Sequence, residues 1–230
     1  MIFKIDGHTG DLMLAMPALD AARQKGVEVG VYMNPRYYSP VESLLGLRLV
    51  TNPAEKGEWL HLTGNSPHIT DRWVKTTRRR LAGIKATRPR LTPDGDFVLL
   101  QPWCEDKYKM LPIGLWRHIV RLCEQAGHMV FVGGPEVYRD EAEYITAGSS
   151  ATNYCGMDTG QWVDTIKEAH TVITVDSGAG HVADYMGKRT LVLFRTTNPE
   201  TWAPAWQRDS YLKNPSIADI EGALEELFNG

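Results

Sequence analysis

Residues 172–194 constrain the fold of this chain more than any other stretch. They run from a β-branched apolar segment, through the turn Asp176-Ser-Gly-Ala-Gly-His181, into a helix-like apolar segment and then a second apolar segment. This order predicts a strand, a helix that stops at Gly187 and a second, parallel strand. The turn would then lie at the carboxyl end of a strand, where the first amides of a helix attract phosphate. An ordinary helix N-cap in a tight glycine turn explains the same residues equally well.

Composition and charge narrow the class of protein. The 230 residues are 43% hydrophobic and 23% charged, which indicates a folded chain of one large or two small domains. The net charge of −3 means that an anionic partner must be held by a local patch. Three widely spaced cysteines, Cys104, Cys123 and Cys155, argue against both a disulfide framework and a zinc site.

The cysteines and the apolar runs also indicate the cellular compartment. Unpaired cysteines favour a reducing compartment, and no apolar run approaches the roughly 18 residues of a membrane span. We therefore expect a cytoplasmic protein without stable membrane insertion, and peripheral attachment at the inner membrane face stays open.

The chain divides into two halves. The first opens with its own strand, turn and helix: Ile2–Ile5, a turn that holds His8, Gly10 and Asp11, and a helix interrupted by Pro17. In the second half strands alternate with helices, which predicts a parallel, doubly wound sheet. We assign residues 1–92 and 93–214 to two domains and residues 215–230 to an amphipathic C-terminal helix. The Asp94-Gly-Asp96 sequence between the halves is interpreted as a turn and not as a cation site.

Residues 72–90 are strongly basic, with eight Lys or Arg side chains and no acidic one. Solvated helix faces usually mix signs, so one interpretation is a patch that contacts an anion and the other is a neutral surface role. Arg78, Arg79 and Arg80, together with His8, are our candidate acceptor-side residues.

Five ordered motifs resemble glycosyltransferase family 9, which includes the heptosyltransferases of the lipopolysaccharide inner core. They are Gly10-Asp-Leu with Met16-Pro-Ala-Leu, Lys109–Pro112 with Trp116, Gly133-Gly-Pro-Glu136, Gly156 with the Asp-Thr that follows, and Asp176–His181 with Phe194, Thr197, Pro199, Trp202 and Pro204. The resemblance runs along most of the chain. It implies an α/β fold of the GT-B type, with two Rossmann-like domains whose parallel sheets face a cleft and with a reduced N-terminal domain. The chain departs from the family in its short N-terminal half and in Arg195, which stands where a glycine is usual.

The resemblance also implies roles for single residues. A nucleotide-diphosphate sugar would be bound, with no cofactor or metal, by Lys109, Glu136, Asp176, Ser177, Gly178, Ala179, Gly180 and His181. A cation and helix-end amides would then meet the charge that develops on the leaving diphosphate. Asp11, which stands at the family's position for the general base, would remove the proton of the acceptor hydroxyl.

Structural explanations stand beside these roles. Lys109 could extend into water, Glu136 and Asp11 could stabilise helix N-termini as acids, and His181 could bond a nearby carbonyl.

The sequence therefore predicts an inverting glycosyltransferase with an anionic acceptor, by family default a lipopolysaccharide-type glycan. One alternative is a phage-type enzyme that glycosylates hydroxymethylpyrimidines in DNA, although the net charge and the lack of a base-reading motif speak against it. Another is a non-catalytic remnant that binds nucleotide sugars or glycans. A nicotinamide-dependent enzyme ranks last, because no G-x-G-x-x-G turn follows either first strand.

Overall fold

The computed structural model describes residues 1–52, 54–60, 68–78, 81 and 95–229, without the side chains of residues 40, 43 and 78. Its strands are β1 Ile2–Lys4, β2 Gly30–Tyr32, β3 Arg48–Leu49, β4 Trp59–Leu60, β5 Phe97–Gln101, β6 Met129–Gly134, β7 Thr152–Cys155, β8 Thr171–Val175, β9 Arg189–Phe194 and β10 Tyr211–Lys213. Its α-helices are α1 Thr9–Gln24, α2 Pro35–Tyr38, α3 Glu42–Leu45, α4 Ile69–Arg78, α5 Ile113–Gln125, α6 Arg139–Thr146, α7 Thr159–Glu168, α8 Gly178–Tyr185, α9 Pro199–Trp202 and α10 Ile217–Asn229.

The strands form two parallel sheets, one in each half of the chain. The smaller sheet has the order β3-β2-β1-β4 and the larger one the order β10-β9-β8-β5-β6-β7. All five residues of β5 and of β8 are buried, as expected for central strands of a parallel sheet with helices on both faces. The parallel, doubly wound sheet predicted for the second half is confirmed.

One apolar core joins the two halves, because α1 packs against both α4 and α8. Its buried members include Phe3, Leu12, Met16, Trp73, Val182 and Met186. A second core, with Trp116 and Ile220 among its members, lies between the larger sheet and the helices α5 and α10. Burying one such large side chain contributes about 1.5–3 kcal/mol, so the shared core fixes the two sheets relative to each other.

Polar contacts reinforce this junction at α4. The Nε2 atom of His68 lies 3.0 Å from the carbonyl oxygen of Ala203. The guanidinium of Arg208 donates two hydrogen bonds, of 2.9 and 2.7 Å, to the carboxylate of Asp71. The first turn of α4 is therefore tied to residues 203–208 of the second half.

Some elements differ from the sequence prediction. Helix α1 continues through Pro17 from Thr9 to Gln24, and the edge strands β7 and β10 were not predicted. Both edge strands are short and half-exposed, so they lack the apolar run that identifies a buried strand. The predicted C-terminal helix is confirmed as α10, and Ser216 bonds Asp219 at its start.

Two predictions concern residues at the edge of the described chain. The domain boundary at residue 92 falls between residues 81 and 95 and stays a prediction, as does the boundary at 214. Asp94 lies outside the described residues. Among the helices that are described, none is long and apolar enough to cross a membrane.

Candidate active site

The N-termini of α1 and α8 meet where the two halves of the chain face each other. A methyl group added at Gly10 would lie 3.0 Å from Cδ2 of His181 and 3.7 Å from the Cα of Gly178. A larger side chain at position 10 would therefore push the two helices apart. The contact brings the turn after β1 and the turn after β8 together, as the sequence hypothesis requires.

Asp11 lies in the first turn of α1, and its carboxylate accepts a hydrogen bond from the backbone N–H of His8 at 2.7 Å. A side chain at Gly7 would overlap this carboxylate, so glycine leaves the room that the hydrogen bond needs. The Asp11 side chain remains 30% exposed. Asp11 thus stabilises the helix start, which was the structural alternative, and it also presents a partly exposed carboxylate at the junction.

Lys109 is fixed by a buried carboxylate. Its Nζ atom lies 2.8 Å from Oδ2 of Asp176, and the same oxygen accepts a hydrogen bond of 2.6 Å from the hydroxyl of Thr197. The Asp176 side chain is only 5% exposed, whereas that of Lys109 is 26% exposed. The ammonium group is therefore held at the carboxyl end of β8 and is not a loop lysine extended into water.

Arg195 adds a second cation near Lys109. It follows the last residue of β9, and its Nη1 atom donates a hydrogen bond of 2.8 Å to the carbonyl oxygen of Met110. This contact places the guanidinium beside the loop that carries Lys109. Among these three side chains, the positive charges of Lys109 and Arg195 outnumber the single negative charge of Asp176.

The N-terminus of α8 follows directly after Asp176, next to these charged side chains. Ser177 is the N-cap residue with an extended backbone, and within the described chain its side chain makes no capping hydrogen bond. Its hydroxyl lies instead 3.0 Å from that of Thr174. Ser177 and Gly178 are half-buried, whereas Ala179 and Gly180 are buried against the sheet. The first amides of α8 are thus left for a ligand or for water.

His181 is buried in the first turn of α8 and remains neutral near pH 7. Burial lowers its pKa, although Asp176, Asp184 and Asp11 pull in the opposite direction. Its Nδ1 atom has no hydrogen-bond partner among the described residues, so the nearby-carbonyl bond proposed as its structural role is not formed at that atom.

Glu136 lies at the carboxyl end of β6, with two strand spacings, or roughly 10 Å, between β6 and β8. Arg139 donates two hydrogen bonds of 2.6 Å to its carboxylate, and these bonds lower the pKa of Glu136. A side chain at Gly156, whose φ is +91°, would overlap one of the carboxylate oxygens. Any ribose bound here would share Glu136 with Arg139.

On the acceptor side, His8 and Arg36 both approach a carboxylate that the sequence analysis did not single out. The Nε2 atom of His8 lies 3.3 Å, and the guanidinium of Arg36 3.4 Å, from oxygens of Glu105. Glu105 belongs to the loop after β5, where no pattern marked it. The backbone of Arg78 ends α4, its side chain is not described, and Arg79 and Arg80 lie outside the described residues.

A family model assigns the chain. The model of glycosyltransferase family 9 (heptosyltransferase) matches residues 73–220, which is more than half of the sequence. The chain belongs to glycosyltransferase family 9. It is therefore a glycosyltransferase, and the predicted family and enzyme class are confirmed. No curated protein matches the sequence.

Several solved glycosyltransferase structures share the fold. Heptosyltransferase II of E. coli has a TM-score of 0.77 at 13% identity, over 99% of this chain and 98% of that one. E. coli heptosyltransferase WaaC with ADP-2-deoxy-2-fluoro heptose has a TM-score of 0.75 at 12% identity, over 100% and 99%. The iron-containing dodecameric glycosyltransferase TibC of enterotoxigenic E. coli H10407 has a TM-score of 0.64 at 14% identity, over 99% and 75%. The GT-B architecture expected from the sequence is thereby confirmed.

The described part of this family 9 chain contains no group of three or more His, Cys, Asp or Glu side chains that could hold a metal ion. Its three cysteines are free.

Proposed function

We propose that this family 9 enzyme transfers a sugar from a nucleotide-diphosphate donor to a hydroxyl of an acceptor glycan, with inversion and without a metal ion. The observation that carries the proposal is the meeting of the N-termini of α1 and α8. The proposal is supported by Asp11 in the first turn of α1 and by the pair of Lys109 and Asp176 at the end of the strand that precedes α8.

The donor diphosphate would bind at the start of α8. Unpaired helix amides attract anions, and the ammonium of Lys109 lies at the end of the preceding strand. As the bond between the sugar and the diphosphate breaks, the negative charge on the leaving group would meet these groups, which are already fixed in place. The structurally similar WaaC was solved with ADP-2-deoxy-2-fluoro heptose, which supports a nucleotide sugar as the donor.

Asp11 would act as the general base. The hydrogen bond from the His8 amide fixes one carboxylate oxygen at 2.7 Å, and the side chain stays partly exposed. Removal of the acceptor proton would let the acceptor oxygen attack the sugar carbon from the side opposite the diphosphate. A single displacement of this kind inverts the anomeric configuration.

We expect the acceptor to carry negative charge outside the reacting sugar, because the stretch at residues 72–90 is basic without acidic residues. A glycan of the lipopolysaccharide type, modified in the cytoplasm, fits this expectation. Peripheral contact with an anionic membrane would use the same charges.

The experiment is a donor screen with ADP-, UDP- and GDP-sugars. Ligand at a hundredfold excess over its Kd adds about 2.7 kcal/mol of stability, which for a chain of this size raises Tm by roughly 5–10 °C. Slow release of nucleoside diphosphate should accompany binding and should persist in EDTA. Absence of a shift with every donor would contradict the proposal, and loss of turnover in EDTA would contradict its metal-free form.

A further inference from the structure

The side chain of Glu105 connects the two halves of the chain. Glu105 belongs to the loop between β5 and α5, whereas the groups that approach it come from the first half. Its Oε2 atom lies 3.3 Å from Nε2 of His8, and its Oε1 atom accepts a hydrogen bond of 3.4 Å from Nη2 of Arg36. Each oxygen of this carboxylate therefore has its own partner in the opposite half.

In the second half, the loop that carries Glu105 is held in place by its own contacts. The side chain of Cys104 and the backbone N–H of Lys109 both donate to the carbonyl oxygen of Asp106, at 3.1 and 3.0 Å. The ammonium of Lys109 is fixed in turn by the buried carboxylate of Asp176 at 2.8 Å. Glu105 thus extends from a loop whose position does not depend on the first half.

In the first half, the two partners of Glu105 pack against one tyrosine. The ring of Tyr37 lies edge-on against the ring of His8, with ring centres 4.4 Å apart, and the guanidinium of Arg36 lies 5.7 Å from the centre of the same Tyr37 ring. The hydroxyl of Thr9 donates to the carbonyl oxygen of Tyr37 at 2.6 Å. The starts of α1 and α2 therefore meet Glu105 as one packed unit.

This packed unit also holds the proposed general base. The backbone N–H of His8 donates to Oδ2 of Asp11 at 2.7 Å, and Nδ1 of the His8 ring lies 4.0 Å from the same oxygen. A displacement of His8 would therefore displace the Asp11 carboxylate as well. Displacing a catalytic group by about 1 Å can slow a reaction about a hundredfold, so the contact that fixes His8 bears on the rate.

We propose that Glu105 is a positioning residue, which fixes the turn that carries Asp11 relative to the loop that carries Lys109. Its role in the reaction rests on the function proposed above. Lys109 has its own support in Asp176, so Glu105 acts on the position of the base and not on the binding of the donor.

The first test separates rate from affinity. It measures the release of nucleoside diphosphate from ADP-glucose, UDP-glucose and GDP-mannose, together with the Kd of ADP, UDP and GDP. Because exposed charge pairs are weak, Glu105→Ala should lower the rate about three- to tenfold, and it should leave every Kd unchanged. Glu225→Ala, which removes an exposed acid of α10, is the control and should change neither quantity. An unchanged rate in Glu105→Ala, or a Kd that rises as much as the rate falls, would overturn the proposal.

A double variant tests whether the effect of Glu105 passes through the base. Asp11→Asn removes the base but keeps an oxygen for the N–H of His8. Glu105→Ala should therefore lower the rate in the unchanged protein and cause no further loss in the Asp11→Asn background. If the two losses multiplied, Glu105 would act independently of Asp11 and the inference would be wrong.

Amide hydrogen exchange without any ligand tests the contact itself. Glu105→Ala should speed exchange at residues 8–12 about threefold and leave residues 106–110 unchanged, because that loop has its own supports. Faster exchange in the loop alone, or in neither segment, would overturn the inference. If none of the three donors releases nucleotide, the proposed transfer fails and the positioning role fails with it. Faster exchange at residues 8–12 would still show that Glu105 joins the two halves.

Discussion

The N-termini of α1 and α8 follow the same plan but complete it differently. Each helix begins after a parallel strand and a short turn, and each has a glycine in its first turn. In α1 the acid Asp11 satisfies a backbone N–H at the helix start and remains partly exposed. In α8 the first turn has no side-chain cap among the described residues and contains a buried, neutral histidine.

The difference shows how one local motif can serve two purposes. The N-terminus of a helix favours negative charge. In α1 this charge comes from the side chain of Asp11, whereas in α8 the position is left for a negatively charged ligand. The first arrangement suits a base and the second suits a diphosphate. The strands that precede the two helices also differ in length, because β1 has three residues while β8 has five, all buried.

The largest effect expected from this comparison is that of Asp11→Asn. Asparagine keeps an oxygen for the His8 amide but cannot take up the acceptor proton, so kcat should fall about 10²- to 10⁴-fold. The donor Kd should change little, since the charge is on α1 and not on α8. Steady-state kinetics with nucleotide titration measures both quantities.

The control for this variant is Asp20→Asn, a carboxylate further along the same helix that pairs with Arg23 at 3.6 Å. It should retain kcat. Equal turnover in the Asp11 and Asp20 variants would show that the acid of α1 is only a helix cap.

The second prediction concerns the α8 side. Lys109→Met removes the ammonium and leaves Asp176 buried where the diphosphate is proposed to bind, so the Kd of nucleoside diphosphate should rise about 10- to 100-fold. The variant should also lose stability, by about 1–3 kcal/mol after allowance for the partial exposure of Lys109. Urea unfolding and isothermal titration measure the two effects.

A double variant sharpens this prediction. Lys109→Met with Asp176→Asn removes both charges, so it should be more stable than Lys109→Met alone while still binding diphosphate weakly. If the double variant were as unstable as the single one, the ion pair would not be the source of the loss.

The sequence was sufficient to predict the central strands of the larger sheet, because these strands are buried on both faces and appear as continuous apolar runs such as Val98-Leu-Leu100. It was weaker in the first half, where strands of two or three residues leave almost no pattern. Chain continuity does not reveal that α1 and α8 share a core, since that contact joins residues about 170 positions apart.

The candidate site was predictable to a similar extent. The resemblance singled out Asp11, Lys109 and Asp176, and the structure brings Lys109 and Asp176 into contact. Their roles remain predictions. The partnership of Glu136 with Arg139 and the position of Glu105 between His8 and Arg36 depend on side-chain geometry, which no local pattern encodes.

The third prediction uses pH to examine the contacts of His68, which tie the start of α4 to the second half of the chain. In His68, Nε2 lies 3.0 Å from the Ala203 carbonyl and Nδ1 accepts from the Thr70 amide at 3.2 Å, so both nitrogens serve the neutral ring. Burial lowers the pKa of His68. The unfolded chain therefore binds a proton first as pH falls below the ordinary pKa of about 6.5, and stability decreases from there downward.

Between pH 7.5 and 5.5 this histidine should lower the free energy of unfolding by up to about 1.4 kcal/mol, because one pKa unit corresponds to about 1.36 kcal/mol. His68→Gln keeps an N–H donor for Ala203 and does not titrate, so its urea midpoint should depend less on pH. His118→Gln, which changes a more exposed histidine of α5, is the control and should keep the original slope. Parallel slopes in all three proteins would mean that His68 is not the proton-linked group.

The smallest effect is expected at Arg195, where this chain departs from the family pattern. The guanidinium is exposed and bonds the Met110 carbonyl, so its attraction for a diphosphate is weakened by water and salt and is worth about 0.2–1 kcal/mol. Arg195→Gly should raise the donor KM up to about fivefold and leave kcat unchanged, because the charge lies on the binding side of the junction. Arg195→Lys should recover part of the loss, and the difference should shrink at about 0.5 M salt. A fall in kcat at constant KM would instead show that Arg195 acts in the chemical step, with the base of α1, and not in donor binding at α8.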